Sequence, residues 1–199
     1  MSHRQSPHFA ASVPARHWLY GLLLLCALLA GCAADNSAES QYLDQATLAS
    51  LTGEKLVTLP YILAAEDFAP SGGRVRYRLE VPLANPPSAQ LGIYVSKLSL
   101  AGRVSLNGTD VGACGFGPLE NLRCLHQPQL FVPPASLWHT GVNTLEFEIF
   151  ANNRQMNGLS PVSVGPAQAL SDGPYLRKWL WQVELLQGMS WLAACLGGL

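Results

Sequence analysis

The sequence predicts an all-β domain, a sandwich or barrel, between about residues 41 and 172. Three observations carry that expectation. Residues 74–81 and 144–150 alternate apolar and polar side chains with period two, the mark of a half-buried strand. Short segments of this kind recur along the body with Gly and Pro between them. The Asn107-Gly108 dipeptide sits between two of them, where it supplies the positive φ angles of a type I′ hairpin turn.

Taken in order, the elements begin with an expected short helix over Asp44–Leu51, with Asp44 as its cap and Leu48 and Leu51 sharing a face. Strand 74–81 follows, placing Val75, Tyr77, Leu79 and Val81 on one face and Arg74, Arg76, Arg78 and Glu80 on the other. Prolines 82, 86 and 87 end it, because Pro cannot donate to a sheet ladder. Leu91–Lys97 is the next strand and 104–111 the hairpin. Gln129–Val132 is a short strand stopped by Pro133-Pro134; strand 144–150 and a last strand over Pro161–Gly165 complete the set. A body of about 130 residues buries roughly two-thirds of its unfolded surface, enough to fold alone.

Twelve basic and thirteen acidic residues leave a net charge of −1 without a clustered basic face, which excludes a nucleic-acid groove. The hydrophobic excess lies at the two ends. Arg4, Arg16 and His17 precede an apolar run from Trp18 to Ala30, too short for a comfortable membrane span. The run ends in Leu29-Ala30-Gly31-Cys32, which resembles a bacterial lipobox with Cys32 as the lipidated residue. An uncleaved signal anchor is the alternative. Both routes export the body to the periplasm and tie it to the cell envelope.

At the other end, residues 175–199 read as the start of a membrane helix. Trp179, Trp181 and Trp191 with Arg177 and Lys178 form an interfacial belt, although the two cations oppose the positive-inside tendency. Glu184 costs on the order of 2–3 kcal/mol deep in lipid, so the embedded part starts near Leu185 or Met189. About ten to fifteen residues remain beyond that point, too few to span, and the sequence is expected to be a fragment. The expected organisation is a signal peptide with lipobox over 1–32, a tether and short helix over 33–54, the β domain over 55–172 and the truncated membrane helix over 175–199.

Of the five cysteines, Cys26 and Cys195 lie in apolar runs and Cys32 in the lipobox, leaving Cys114 and Cys124 in the body. In an exported protein that pair reads as a disulfide, worth roughly 3 kcal/mol in the chain-entropy model. Half a zinc site with His126 and His139 is the alternative, although the spacing lacks the tight pairs metal geometry imposes.

Four motifs carry a family resemblance: Arg76-Tyr-Arg-Leu-Glu80, Val104-Ser-Leu-Asn-Gly108, Val132-Pro-Pro-Ala135 leading to Gly141-Val-Asn-Thr-Leu-Glu146, and Gly158-Leu-Ser-Pro-Val-Ser-Val-Gly165. With them, residues 55–199 resemble the galactose-binding-like jelly-roll sensor domains that precede seven-transmembrane modules in bacterial histidine kinases and diguanylate cyclases. An Asn-Gly hairpin followed by Gly-x-Asn-x-Leu also occurs in sugar-binding domains of glycoside hydrolases. The resemblance implies a jelly-roll fold and an extracytoplasmic input domain whose signal passes through a membrane bundle to a cytoplasmic output. The two apolar ends imply the lipid bilayer as partner, and a homodimer is expected through the missing membrane and cytoplasmic parts.

No Gly-x-Ser-x-Gly elbow or Walker loop is present. Glu66-Asp67 are adjacent, and Glu146 and Glu148 share one strand face, whereas glycosidase chemistry needs carboxylates on opposite sides of a sugar. No catalytic residue, metal or cofactor is therefore assigned. Candidate binding residues are Arg123, His126 and Gln127 in one polar cluster and Arg154, Gln155 and Asn157 in another. Arg154 suits a carboxylate, and Gln155 and Asn157 suit hydroxyls. Trp138 either stacks on a sugar face or fills the core. The expected ligand is a small molecule or carbohydrate. The alternative to a receptor input domain is a lipid-anchored carbohydrate-binding or structural module, with a detached glycoside hydrolase accessory domain behind it.

Overall fold

A computed structural model describes residues 40–99, 101–114, 118, 127–153, 156–185, 187–188 and 190–191. The strands are β1 (Gln41–Leu43), β2 (Gln45–Ser50), β3 (Gly53–Thr58), β4 (Tyr61–Ile62), β5 (Gly73–Leu83), β6 (Leu91–Val95), β7 (Gly102–Leu106), β8 (Thr109–Ala113), β9 (Gln129–Phe131), β10 (Gly141–Ala151), β11 (Gly158–Leu159) and β12 (Val162–Pro166). They form a six-stranded sheet in the order β3-β2-β5-β10-β7-β8, a four-stranded sheet in the order β1-β12-β6-β9, and a small β11-β4 pair. All pairings are antiparallel. The architecture is an all-β sandwich.

The alternating strands behave as their period demands. β5 and β10 pair over eleven residues, Gly141 opposite Leu83 through Ala151 opposite Gly73. Val75, Tyr77, Leu79 and Val81 from β5 and Leu145, Phe147 and Ile149 from β10 all point inward and are fully buried. Ile93 and Val95 of β6 and Val162 and Val164 of β12 join them in one continuous core. Burying a side chain of this size contributes about 1.5–3 kcal/mol, so this layer supplies much of the folding drive. On the outer face Glu146 lies 3.1 Å from Arg78, and Glu148 lies 3.9 Å from Arg74 and 3.8 Å from Arg76. These are cross-strand pairs on a wet sheet face, which agrees with reading the two glutamates as surface.

The hairpin forms as expected: Asn107 and Gly108 take φ of 51° and 80° between β7 and β8. A bulge follows, with Val104 opposite Gly112 but Ser105 opposite Asp110. A Cβ at Gly112 would stand 2.7 Å from the Phe131 ring, so the close approach of β8 to β9 excludes a larger residue.

Two expectations are corrected. Residues 45–50 form strand β2 rather than a helix over Asp44–Leu51, because Ala46 and Leu48 bury against the core while Lys55 and its neighbours in β3 complete the ladder. A sheet partner outweighed the cap. Residues 167–184 are helical throughout: α1 (Ala167–Leu170), a π-helical turn (Ser171–Tyr175), α2 (Leu176–Trp179) and a second π-helical segment (Leu180–Glu184). Gly173 and Pro174, which fall between the expected β domain (55–172) and membrane helix (175–199), lie inside that helix. Pro174 removes one donor from the ladder, and a π turn is a usual way to accommodate the loss. Among the described residues no helix is long and apolar enough to cross a membrane.

Helix α1 packs on the outer face of the four-stranded sheet. The Ala167 amide donates to the Gln90 carbonyl at 2.8 Å, and Leu170 is buried. A Cβ at Gly92 would lie 3.1 Å from the Ala167 Cα, so glycine there allows the close approach. Burial pushes the Tyr94 phenol above its usual range, with the Arg177 guanidinium opposing the shift. β6 is thus covered on both faces, which explains its nearly unbroken apolar run.

Candidate functional site

The motif residues build structure before anything else. Asn143, fully buried, accepts hydrogen bonds from the Asn107 Nδ2 at 2.9 Å and the His139 amide at 3.0 Å. It donates to the His139 carbonyl at 2.8 Å and the Val81 carbonyl at 3.4 Å. Asn107 in turn donates to the Leu137 carbonyl and accepts from the Thr144 amide, both at 2.8 Å. The Asn-Gly hairpin and the Gly-x-Asn segment are two halves of one amide network that closes the β7–β8 end of the sandwich.

A second, charged network lies beyond β3. A short 3₁₀ turn, Ala65–Asp67, aims the Asp67 carboxylate inward, where it has no solvent exposure. Oδ1 meets the Lys55 ammonium at 2.7 Å; Oδ2 accepts from the Ala64 amide at 2.9 Å and the Tyr61 hydroxyl at 3.3 Å. The Lys55 ammonium also sits 5.5 Å from the Tyr61 ring centroid. Burial alone would raise the Asp67 pKa, yet Lys55 and the Ala64 amide together hold it below the usual carboxylate range, and Lys55 is pushed up in return. The neighbouring Tyr77 phenol, fully buried and without a hydrogen-bond partner among the described residues, is pushed up by burial and by the nearby Tyr61 and Asp67. Sequence reasoning set Glu66-Asp67 aside as an acidic pair; only the arrival of Lys55 from β3 distinguishes Asp67. The carboxylate of Asp67 is thus satisfied within the fold.

A mostly apolar recess lies at the end of the sandwich where β4 and β11 pair, smaller than two more polar recesses along the six-stranded sheet. Its cavity is about 180 Å³ and is lined by Tyr61, Ile62, Lys97, Leu98, Met156 and Leu159, with Ser99, Asn157 and Ser160 at its polar side. Backbone pairing holds the wall: Leu98 bridges to Leu159, and the Ser160 amide donates to the Lys97 carbonyl at 3.0 Å. Ser99 Oγ donates to Asn157 Oδ1 at 3.2 Å, and Asn157 Nδ2 donates to the Asn152 carbonyl at 2.7 Å. Ser160 Oγ accepts from Ser96 Oγ and from the Lys97 amide.

The expected binding residues separate on the structure. Asn157 lies at this recess but is buried, and its amide is engaged by the chain itself. Trp138 is buried in the core at 5% exposure, so its ring is not presented to a sugar; its Nε1 has no partner among the described residues. Gln127 is half-buried before β9, where its carbonyl accepts from the Gln129 side chain at 3.3 Å. Arg123, His126, Arg154, Gln155, Cys124 and Cys32 lie outside the described residues. Cys114 is buried and disulfide-bonded. Among the described residues no three His, Cys, Asp or Glu side chains are grouped to hold a metal ion.

No family model matches the chain, and no curated protein matches it. Solved structures that are similar include b-glucuronidase from Ruminococcus gnavus in complex with uronic deoxynojirimycin, at 15% identity and a TM-score of 0.44. The same enzyme in complex with uronic isofagomine gives 15% identity and a TM-score of 0.46. In both cases the match covers 63% of this chain and 28% of the enzyme's chain.

Proposed function

We infer that this sandwich is a non-catalytic extracytoplasmic input domain, of the galactose-binding-like jelly-roll type, that couples a binding event at one end to a helix at the other. The observation that carries the reading is the path of two neighbouring strands. β12 and β6 are paired from Val162 opposite Val95 to Pro166 opposite Leu91. At the first end, the residues just outside the pair, Lys97 and Ser160, line the recess. At the other end β12 runs without a linker into α1, which is bonded to Gln90 and seated on Gly92. The five residues of β12 cover about 16 Å, so a displacement at the recess reaches the helix through one short, fully bonded element. A ligand shifts such an element only by its difference in affinity for two arrangements.

The exposed Trp181 and Trp191 and the cations Arg177 and Lys178 on the helical segment support an interfacial position at a bilayer. The export signal and Cys32 support an envelope location, with the output a histidine kinase or diguanylate cyclase. Pairing of Cys114 with Cys124 belongs to the same proposal.

Two measurements test it. An alkaline phosphatase fused after Asp172 is expected to be active, while a reporter that works only in the cytosol is expected to be silent. The reverse pattern removes the extracytoplasmic reading. Sequencing downstream of Leu199 is expected to show an open frame into a membrane bundle. A stop codon there leaves the lipid-anchored binding or structural module as the function.

A further inference from the structure

We propose that the recess between β4–β11 and the Lys97–Ser99 segment receives a small amphiphilic carboxylate, its apolar body on Leu98, Leu159 and Met156 and its charge toward Lys97. The inference rests on the reading that this end of the sandwich is the binding end, and it names the ligand chemistry. Three features of the recess lead to it.

The first is the state of its polar groups. A sugar site needs several convergent donors and acceptors left open for hydroxyls. Here Ser99 is tied to Asn157, Asn157 to the Asn152 carbonyl, and Ser160 to Ser96 and the Lys97 amide, at 2.7–3.2 Å. A hydroxylated ligand would find these groups already satisfied and would pay for displacing them. The second feature is size and lining. A cavity of about 180 Å³ is near the size, about 150 Å³, that takes a benzene-sized apolar molecule. Ile62 and Met156 at its rim are 61% and 71% exposed, apolar surface that a ligand would cover. The third is charge. Lys55, Arg74, Arg76, Arg78 and Arg103 each have a carboxylate within 4 Å, whereas Lys97, exposed at the rim, makes no ion pair among the described residues. An apolar floor bordered by a lysine that has no ion pair among the described residues selects an apolar anion, because the floor rejects a wholly polar solute and the ammonium rejects a cation.

Met156 provides a reporter, because the sequence holds only three methionines. The full chain is labelled with ¹³C-methyl methionine in lipid nanodiscs, and the Met156 resonance is assigned with Met156→Leu. Hexanoate is expected to shift it saturably, hexylamine to bind at least tenfold more weakly, and galactose to leave it unmoved. Lys97→Gln, a change at an exposed and unpaired side chain, is expected to weaken hexanoate about tenfold and bring it within about twofold of hexylamine. An unmoved Met156 resonance with hexanoate, equal binding of hexylamine, a shift with galactose alone, or hexanoate binding untouched by Lys97→Gln would each overturn the proposal. Failure here leaves the Asp172 fusion result unaffected, so the ligand class and the input-domain reading fail separately.

Discussion

Two of the buried polar networks among the described residues solve the same problem by different means. Around Asn143 every partner is neutral, and one side chain both donates and accepts, so that two chain segments are locked with no charge to desolvate. Around Asp67 a carboxylate with no solvent exposure is balanced by a lysine that remains about a third exposed, with a backbone amide and a phenol completing the set. The neutral network is indifferent to pH and salt. The charged one depends on both, and the exposure of Lys55 leaves its half of the pair partly screened. The comparison teaches that burial alone does not rank such groups: the number of partners and their charge state decide what each loses when perturbed.

The contrast can be broken most directly at Asn143. Replacing it with Ala leaves the Asn107 side chain, the His139 amide and two carbonyls short of partners, and is expected to cost about 3 kcal/mol in urea unfolding, equally at pH 5 and pH 8. A loss below about 1 kcal/mol would show that water replaces the amide. Asp67→Asn is expected to cost about 2 kcal/mol at pH 7 through its charged hydrogen bonds to Ala64 and Tyr61.

The pH profile sharpens the difference. The folded-state pKa of Asp67 lies below its unfolded value, so its contribution is full above about pH 4 and is lost as pH falls through the depressed value. Lys55 is shifted up, so its contribution holds below about pH 10 and is lost only on passing above the raised value. Acid unfolding of the parent chain is therefore expected to be steeper than that of Asp67→Asn, and parallel curves would refute the assignment. Gly108→Ala is the smaller test at the neutral end. A methyl group at φ 80° costs about 1 kcal/mol without touching the pH profile.

Much of the neutral network was legible because turn chemistry is local. Asn107-Gly108 announces its conformation in two adjacent residues, and the alternation of 74–81 and 144–150 announces which side chains face the core. Glu146 and Glu148 were placed on the wet face by that alternation alone. The charged network was not legible, since nothing near Asp67 in the chain distinguishes it from Glu66 until β3 brings Lys55 across. The recess was half legible. Asn157 lies in a segment that lines the recess, but its side-chain amide, expected to read a ligand's hydroxyls, is engaged by Ser99 and the Asn152 carbonyl. Trp138 presented two readings in the sequence, and its burial selects the core.

Period-two patterning, proline stops and one Asn-Gly turn determined by themselves that the body would be β, and that strands 74–81 and 144–150 would each bury one face, because those signals act over a few residues. Which strands became neighbours, that residues 45–50 extended rather than coiled, and that the helix starts at Ala167 against Gly92 were decided only when distant segments met. Those outcomes depend on partners 29 to 75 residues away in the chain, such as Tyr77 beside Leu48 and Gly92 beneath Ala167, and no local propensity encodes them.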